Sequence, residues 1–407
     1  MASRQILIRT VCTLLVLLVG IPAYSQGNLH LGALDIHPSF FERIEFDDNV
    51  YQVSGKGVNV TGGREDKESD LINIYTPGLE LKLPFRNIII PSAKRGHDLN
   101  FDWHSDFKNY RHHADQNQQN HYINASGNFR FHKGFEISIE NTYEDTEAPA
   151  GSETDRIHPR KTNIGSVTVS LPDYFRRFDI DFTYTNFDQE YEEGRLNRPN
   201  RNEDRFTLKA PIKLTPKIVV FPGYTHGITE YDRSSSIDSL SDSHFNEIFA
   251  GAEWYATAKT TGILKLGYRS RDYDDIEKSD IDTFVALMGV QSKLPKRIIL
   301  NLNFVREQFE SEFTAGSNGF VSNRGDFSIS HKIMRKITTT LYGDYEKQVY
   351  RNSTRKDDIY SFRFSTQYDM NKWVLVDLYY SYRDKHSNFE LESDRINKAA
   401  IGIGLAF

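Results

Sequence analysis

The chain closes on NKAAIGIGLAF, residues 397–407. Read back from the last residue, every second position is apolar, Phe407, Leu405, Ile403, Ile401 and Ala399, and the positions between are Ala406, Gly404, Gly402 and Ala400. A period of two marks a strand with two different faces. One face is large and oily; the other is small enough for close approach or strong coiling. The composition says where an oily face of this kind belongs. Hydrophobic residues make up only 38% and the mean hydropathy is −0.57, yet aromatics reach 13%, with 27 Phe and 22 Tyr. A soluble core of this length would hold more Leu, Val and Ala. The balance suits a sheet that is apolar and aromatic outside and wet inside.

The same alternation recurs upstream in segments of about ten residues, the length a tilted strand needs to cross a membrane. FEISIENTY (135–143) sets Phe135, Ile137, Ile139 and Tyr143 against Glu136, Ser138, Glu140 and Thr142. FDIDFTY (178–184) and YSFRFSTQY (360–368) repeat the pattern. Connections alternate between short and basic, such as LTPK (214–217), KLPKR (293–297) and IMRK (333–336), and long and polar. The long ones fall near 47–70, 111–120, 146–160, 191–202, 232–243, 273–280, 310–323, 350–357 and 385–394. Eight short turns and nine long loops predict about eighteen strands, with sixteen the alternative, in an all-β transmembrane antiparallel barrel. Both termini then fall on the short-turn side, which in such barrels is periplasmic. An unpaired edge in hydrocarbon would strand N–H and C=O groups, so the last strand must pair with the first. Pro38, Pro77 and Pro222 sit awkwardly within strand-like stretches, because proline cannot donate to a ladder paired on both sides.

Residues 1–25 read as a secretory signal. Arg4 and Arg9 precede an apolar run from Val11 to Ile21, and Ala23-Tyr24-Ser25 offers a small-residue cleavage site. The barrel is then 26–407. Cys12 is the only cysteine and lies in the signal, so disulfides and thiolate metal sites are excluded from the exported protein. Losing Arg4 and Arg9 moves the formal charge from −6 to −8, which argues against nucleic acid as a partner. The expected place is the cell outer membrane, with its lipids as the surrounding partner.

HPSFFERIEFDDNVYQ (37–52), followed by ESDLINIYTPGLEL (68–81), resembles the start of the putative beta-barrel porin 2 family. Pro38, the DDNVY at 47–51, Ser69-Asp70 and Pro77-Gly78-Leu79 carry the likeness. The resemblance implies an outer-membrane channel, and members are often linked to export of exopolysaccharide or capsule, so export components are the implied partners. The terminal Ile401, Ile403, Leu405 and Phe407 resemble the sorting signal that the barrel assembly machinery recognises.

Eight of the 13 histidines lie between His30 and His132, including His112, His113 and His121, but a solvated loop explains them better than a metal site. DYDDIEKSDID (272–282) lacks the glycine and final glutamate of an EF-hand loop. AGSNG (315–319) places Ser317 in a loop, where a nucleophile elbow needs a strand-to-helix turn. No cofactor and no catalysis are expected. By alternation the lumen receives Asp102, His104, Asp106, Arg130, Glu136, Glu140, Asp179, Asp181, Lys209, Lys213, Lys265, Arg269, Arg363 and Asp377. Three functions stand: a restricted conduit for a polar solute or polymer, a general diffusion porin, and a barrel enzyme. The first is expected, with the 47–70 loop folded over the mouth.

Overall fold

The computed structural model describes residues 29–53, 67–85, 96–131, 134–147, 159–172, 178–192, 200–232, 241–275, 278–311, 317, 319–389 and 392–406. The signal reading for 1–25 and the terminal Phe407 lie outside the described residues. In chain order the strands are β1 Leu29–Leu31, β2 Leu34–Asp47, β3 Asp70–Phe85, β4 His97–Tyr110, β5 Gln118–Arg130, β6 Glu136–Thr146, β7 Arg160–Leu171, β8 Ile180–Tyr191, β9 Arg201–Lys209 and β10 Ile212–Thr215. Then come β11 Ile218–Tyr231, β12 Ser243–Thr257, β13 Thr260–Tyr273, β14 Ile281–Leu294, β15 Ile298–Glu310, β16 Gly319–Met334, β17 Ile337–Tyr350, β18 Lys356–Asp369, β19 Val374–Ser387 and β20 Asp394–Ala406.

All join one antiparallel sheet that closes on itself, since β2 pairs with β20 from Ser39↔Ala406 to Asp47↔Lys398. Eighteen strands form the wall. Of the other two, β1 pairs beside the start of β2, and β10 continues β9 beyond a break at Ala210 and Pro211. Among the described residues no helix is long and apolar enough to cross a membrane. Long loops gather at one end of the barrel; the short turns, Leu29 and Ala406 gather at the other.

The terminal strand is built as its alternation predicts. Ile401 and Ile403 are 54% and 48% exposed on the outer face, while Gly402 and Gly404 turn inward. The two glycines make room for large neighbours. A Cβ on Gly404 would lie 2.2 Å from Cε1 of Phe41, and one on Gly402 would lie 2.4 Å from Oδ1 of Asp377. That carboxylate accepts from Nη2 of Arg43 at 3.1 Å, so an ion pair bridges β2 and β19 across the small residues of β20.

The three prolines sit at ladder interruptions. Pro38 falls between the last β20 pair, Ser39↔Ala406, and the first β1 pair, Leu29↔Ile36. Pro77 lies where β3–β4 pairing skips from Tyr75↔Phe107 to Gly78↔His104. Pro222 lies beside the break in β9, where its carbonyl accepts from the Ala210 N–H at 3.0 Å.

The long-loop end repeats one device that the sequence reading missed. β4, β8, β11, β13 and β17 all finish on tyrosine, and Tyr110, Tyr191, Tyr231, Tyr273 and Tyr350 are all buried. Four of these tyrosines donate their backbone N–H to a side chain just ahead of the next strand: to Asn117 at 2.8 Å, Asn200 at 3.1 Å, Asp242 at 2.9 Å and Asp280 at 3.1 Å.

Candidate functional site

Alternation sorts the wall side chains into two sets. Ile44, Leu99, Ile139, Phe182, Phe304, Phe364 and Ile401 are exposed on the outside. Facing the other way are Asp102, His104, Asp106, Arg130, Glu136, Glu140, Asp181, Lys209, Lys265, Arg269, Arg363 and Asp377, with Asp179 and Lys213 paired at 3.4 Å by the short-turn rim. These residues do not form one cluster. They line different sectors of the lumen, and most have partners. Arg130 lies 3.3 Å from Asp98 and 3.5 Å from Glu136, and Lys209 lies 3.3 Å from Glu253.

The inner face from β4 to β8 is mostly hydroxyl, amide and carboxylate, with Ile164 and Phe187 among its few apolar members. Asn100, Asp102, Asn124, Ser126, Glu140 and Thr142 surround a recess of about 300 Å³, in which Glu140 stands exposed. His104 lies on Tyr122 with ring centroids 4.8 Å apart. The β11–β12 sector differs because its register sets aromatics opposite glycines: Phe221↔Gly251, Gly223↔Phe249 and Gly227↔Phe245. Each ring lies flat on its glycine, and a cation covers it. Lys209 sits 4.4 Å from the Phe221 centroid, Lys265 4.3 Å from Phe249, and Arg269 and Arg271 4.6 and 4.7 Å from Phe245. Flattened rings keep the bore clear, and the cations keep its surface polar.

At the long-loop end two apolar places on the inner wall are covered. Ile72 and Ile74 of β3 pack under Val50, with Tyr110 and Tyr51 alongside, so residues 48–53 fold into the mouth. Tyr51 also meets the His113 ring edge-on at 5.4 Å. His113 is held at both nitrogens, Nδ1 to Asp70 at 2.9 Å and Nε2 to Glu68 at 2.5 Å. The Glu68 bond, opposed by desolvation and supported by Asp70, raises its pKa above the ordinary value. The histidine-rich loop is therefore an ion-paired tie. Among the described residues no group of three or more His, Cys, Asp or Glu is placed to hold a metal.

The second apolar place is Ile281 and Val285 of β14, and the tip of the β15–β16 hairpin covers it. Pairing of β14 with β15 stops at Ala286↔Arg306, although both strands run further. Beyond that point the tip lies inside the wall. Glu310 meets Nη1 of Arg271 at 2.8 Å and accepts from the Tyr273 hydroxyl at 3.1 Å and the Tyr231 hydroxyl at 3.4 Å. Arg269 binds Glu247 at 2.6 Å, Glu307 at 3.1 Å and the Gln308 carbonyl at 3.3 Å. Phe245, Glu247, Arg271 and Glu310 are buried as a result, and the bore narrows at this level. Ser317 closes the same tip, its hydroxyl donating to the carbonyls of Gly319 and Arg351 at 3.1 and 2.9 Å.

The inward tip was not foreseen. Its signal was present in VREQFE (305–310), where alternation gives way to three polar residues in succession, beside an apolar inner row on β14. An apolar row facing a wet lumen requires a cover.

A closed antiparallel wall, oily outside and charged inside, defines an outer-membrane β-barrel of the porin type. The chain belongs to the family described as putative beta-barrel porin 2, whose model matches residues 86–407. The residues that carried the early resemblance, 37–81, lie ahead of that match. No curated protein matches the chain. Among solved structures it is similar to OpdK (OccK1) of Pseudomonas aeruginosa, at 8% identity and a TM-score of 0.47 over 91% of this chain and 99% of that one. OccAB3 of Acinetobacter baumannii gives 9% identity and 0.47 over 91% and 99%. The siderophore receptor PirA of Pseudomonas aeruginosa gives 9% and 0.43 over 91% and 80%.

Proposed function

We propose that this outer-membrane channel is a restricted conduit for a hydroxyl-rich solute or polymer, set with its long loops outside and its termini in the periplasm. The observation that carries the reading is the contrast between the two ends of the lumen. Glu140, Arg363 and Arg324 stand exposed in the bore, whereas the long-loop end is narrowed by the β15–β16 tip and by residues 48–53. The amide and carboxylate surface of β4–β8 offers many donors and acceptors to a polyol chain and no strong single site, which suits passage over capture. Outward movement of extracellular polysaccharide is the preferred traffic, with export components as partners and the assembly machinery reading the terminal strand. The reading assigns no catalysis and no cofactor. A general diffusion porin is the second reading, favoured by charges of both signs along the bore.

The test is conductance together with phenotype. The purified barrel in planar bilayers should conduct weakly, and deleting 53–67 should raise conductance. Loss of the gene should lower surface polysaccharide and leave small-solute uptake unchanged. Large steady conductance from the intact barrel, with normal polysaccharide in the deletion strain, would leave the general porin.

A further inference from the structure

The inward tip of β15–β16 leaves two strand edges unpaired, and two arginines cover them in a telling way. Continuing the β14–β15 register beyond Ala286↔Arg306 sets Val285 opposite Glu307, Phe284 opposite Gln308 and Thr283 opposite Phe309. The odd residues of β14 face β13, as the Lys293 N–H to Lys259 carbonyl bond shows, so Phe284 presents its N–H and C=O to β15. Phe284 and Gln308 are thus the next pair that would exchange two backbone hydrogen bonds. Their carbonyls are the ones the arginines hold. Arg306 Nε donates to the Phe284 carbonyl at 3.0 Å, and Arg269 Nη1 donates to the Gln308 carbonyl at 3.3 Å. The Gln308 side chain is 3% exposed, and neither its Nε2 nor its Oε1 has a hydrogen-bond partner. A buried primary amide without partners is a standing penalty on the inward position. In the continued register Gln308 would turn outward beside Phe284 at the rim, where water reaches it.

We propose that the tip has two seats, the inward one and a wall seat in which 307–311 zip onto 281–285 of β14, and that exchange between them opens and closes the long-loop end of the bore. Each seat satisfies what the other leaves open. Inward, Glu310 neutralises Arg271 and the tip covers Ile281 and Val285; in the wall, the backbone ladder replaces the two arginine caps and Gln308 is wetted. The opening role rests on the conduit reading, but the zipping does not.

Cys12 is the only cysteine of the chain, so paired thiols can report the seat. Thr283→Cys with Phe309→Cys occupies a non-hydrogen-bonded pair of the wall seat, where the Cα separation suits a disulfide. Leu287→Cys with Val305→Cys, a pair already formed, is the control. Under mild oxidation both pairs should close in the folded, heat-modifiable barrel, the first more slowly. Conductance of the oxidised Thr283–Phe309 variant should rise several-fold and fall back on reduction. Free thiols at 283 and 309 beside a closed control would overturn the two seats, and a closed crosslink without change in conductance would overturn the gate. The thiol readout needs no transport. A barrel that stays silent with 53–67 deleted therefore refutes the conduit separately.

Discussion

Replacing Glu310 with Gln should convert a mostly closed channel into one that is open about half the time. The carboxylate lies 2.8 Å from Arg271 and accepts from two tyrosines, and Arg271 is only 2% exposed. Removing one member of a buried ion pair costs about 3–5 kcal/mol; Glu203, the second carboxylate acting on Arg271, offsets part of the loss and points to the lower bound. That penalty falls on the inward seat alone, since Arg271 is wetted once the tip moves to the wall. At the lower bound, about 3 kcal/mol is roughly a hundredfold change in the ratio of the two states. A channel open about 1% of the time would then be open about half the time. Single-channel recording of Glu310→Gln beside the parent protein measures this directly, with heat modifiability confirming the fold. Unchanged open probability in a folded variant would refute the energetic role of the pair, and with it the inward tip as the barrier.

Gly227→Ala should destabilise the barrel, because its Cβ would sit 2.1 Å from Cε1 of Phe245 and the ring cannot move without disturbing Arg269 and Arg271. Overpacking of this kind costs about 1–3 kcal/mol, read as a lower urea midpoint; adding Phe245→Ala should then cost less than its effect alone. The His113 tie should depend on pH with a definite sign: its pKa is raised on folding, so its contribution is full below the ordinary value of 6.5 and is lost as pH rises through the higher folded value. Limited proteolysis of the 111–117 loop should accelerate across that range in the parent protein, and His113→Gln should remove the pH dependence.

Much of the wall was legible because the membrane forces a simple code. A strand between lipid and water must alternate, so FEISIENTY and YSFRFSTQY declare their faces and GIGLAF declares its place in the seam. The basic turns and polar loops fell where the strands end, since nothing apolar is asked of them. The lumen was legible only as a list. Alternation says that Arg269 and Asp377 face inward, but the choice of Glu247 and Arg43 as their partners depends on register across strands distant in sequence. The Arg43–Asp377 pair spans 334 residues. The inward tip escaped for a related reason. Its position is set by an apolar row on a neighbouring strand and by arginine caps, and no single strand records that relation.

The tyrosine and amide or carboxylate bond at the root of four loops joins residues 7, 9, 11 and 7 positions apart. The same knot is tied whatever length of chain lies above it. Each loop is thereby anchored at its root, so a change of length beyond the knot need not alter the register below it. The long-loop end can drift in length and chemistry while the barrel beneath keeps its register. For an engineer, the positions just above Tyr191 and Tyr231 are natural points for inserting tags. For the chain itself, the loops can be rewritten without refolding the wall beneath them.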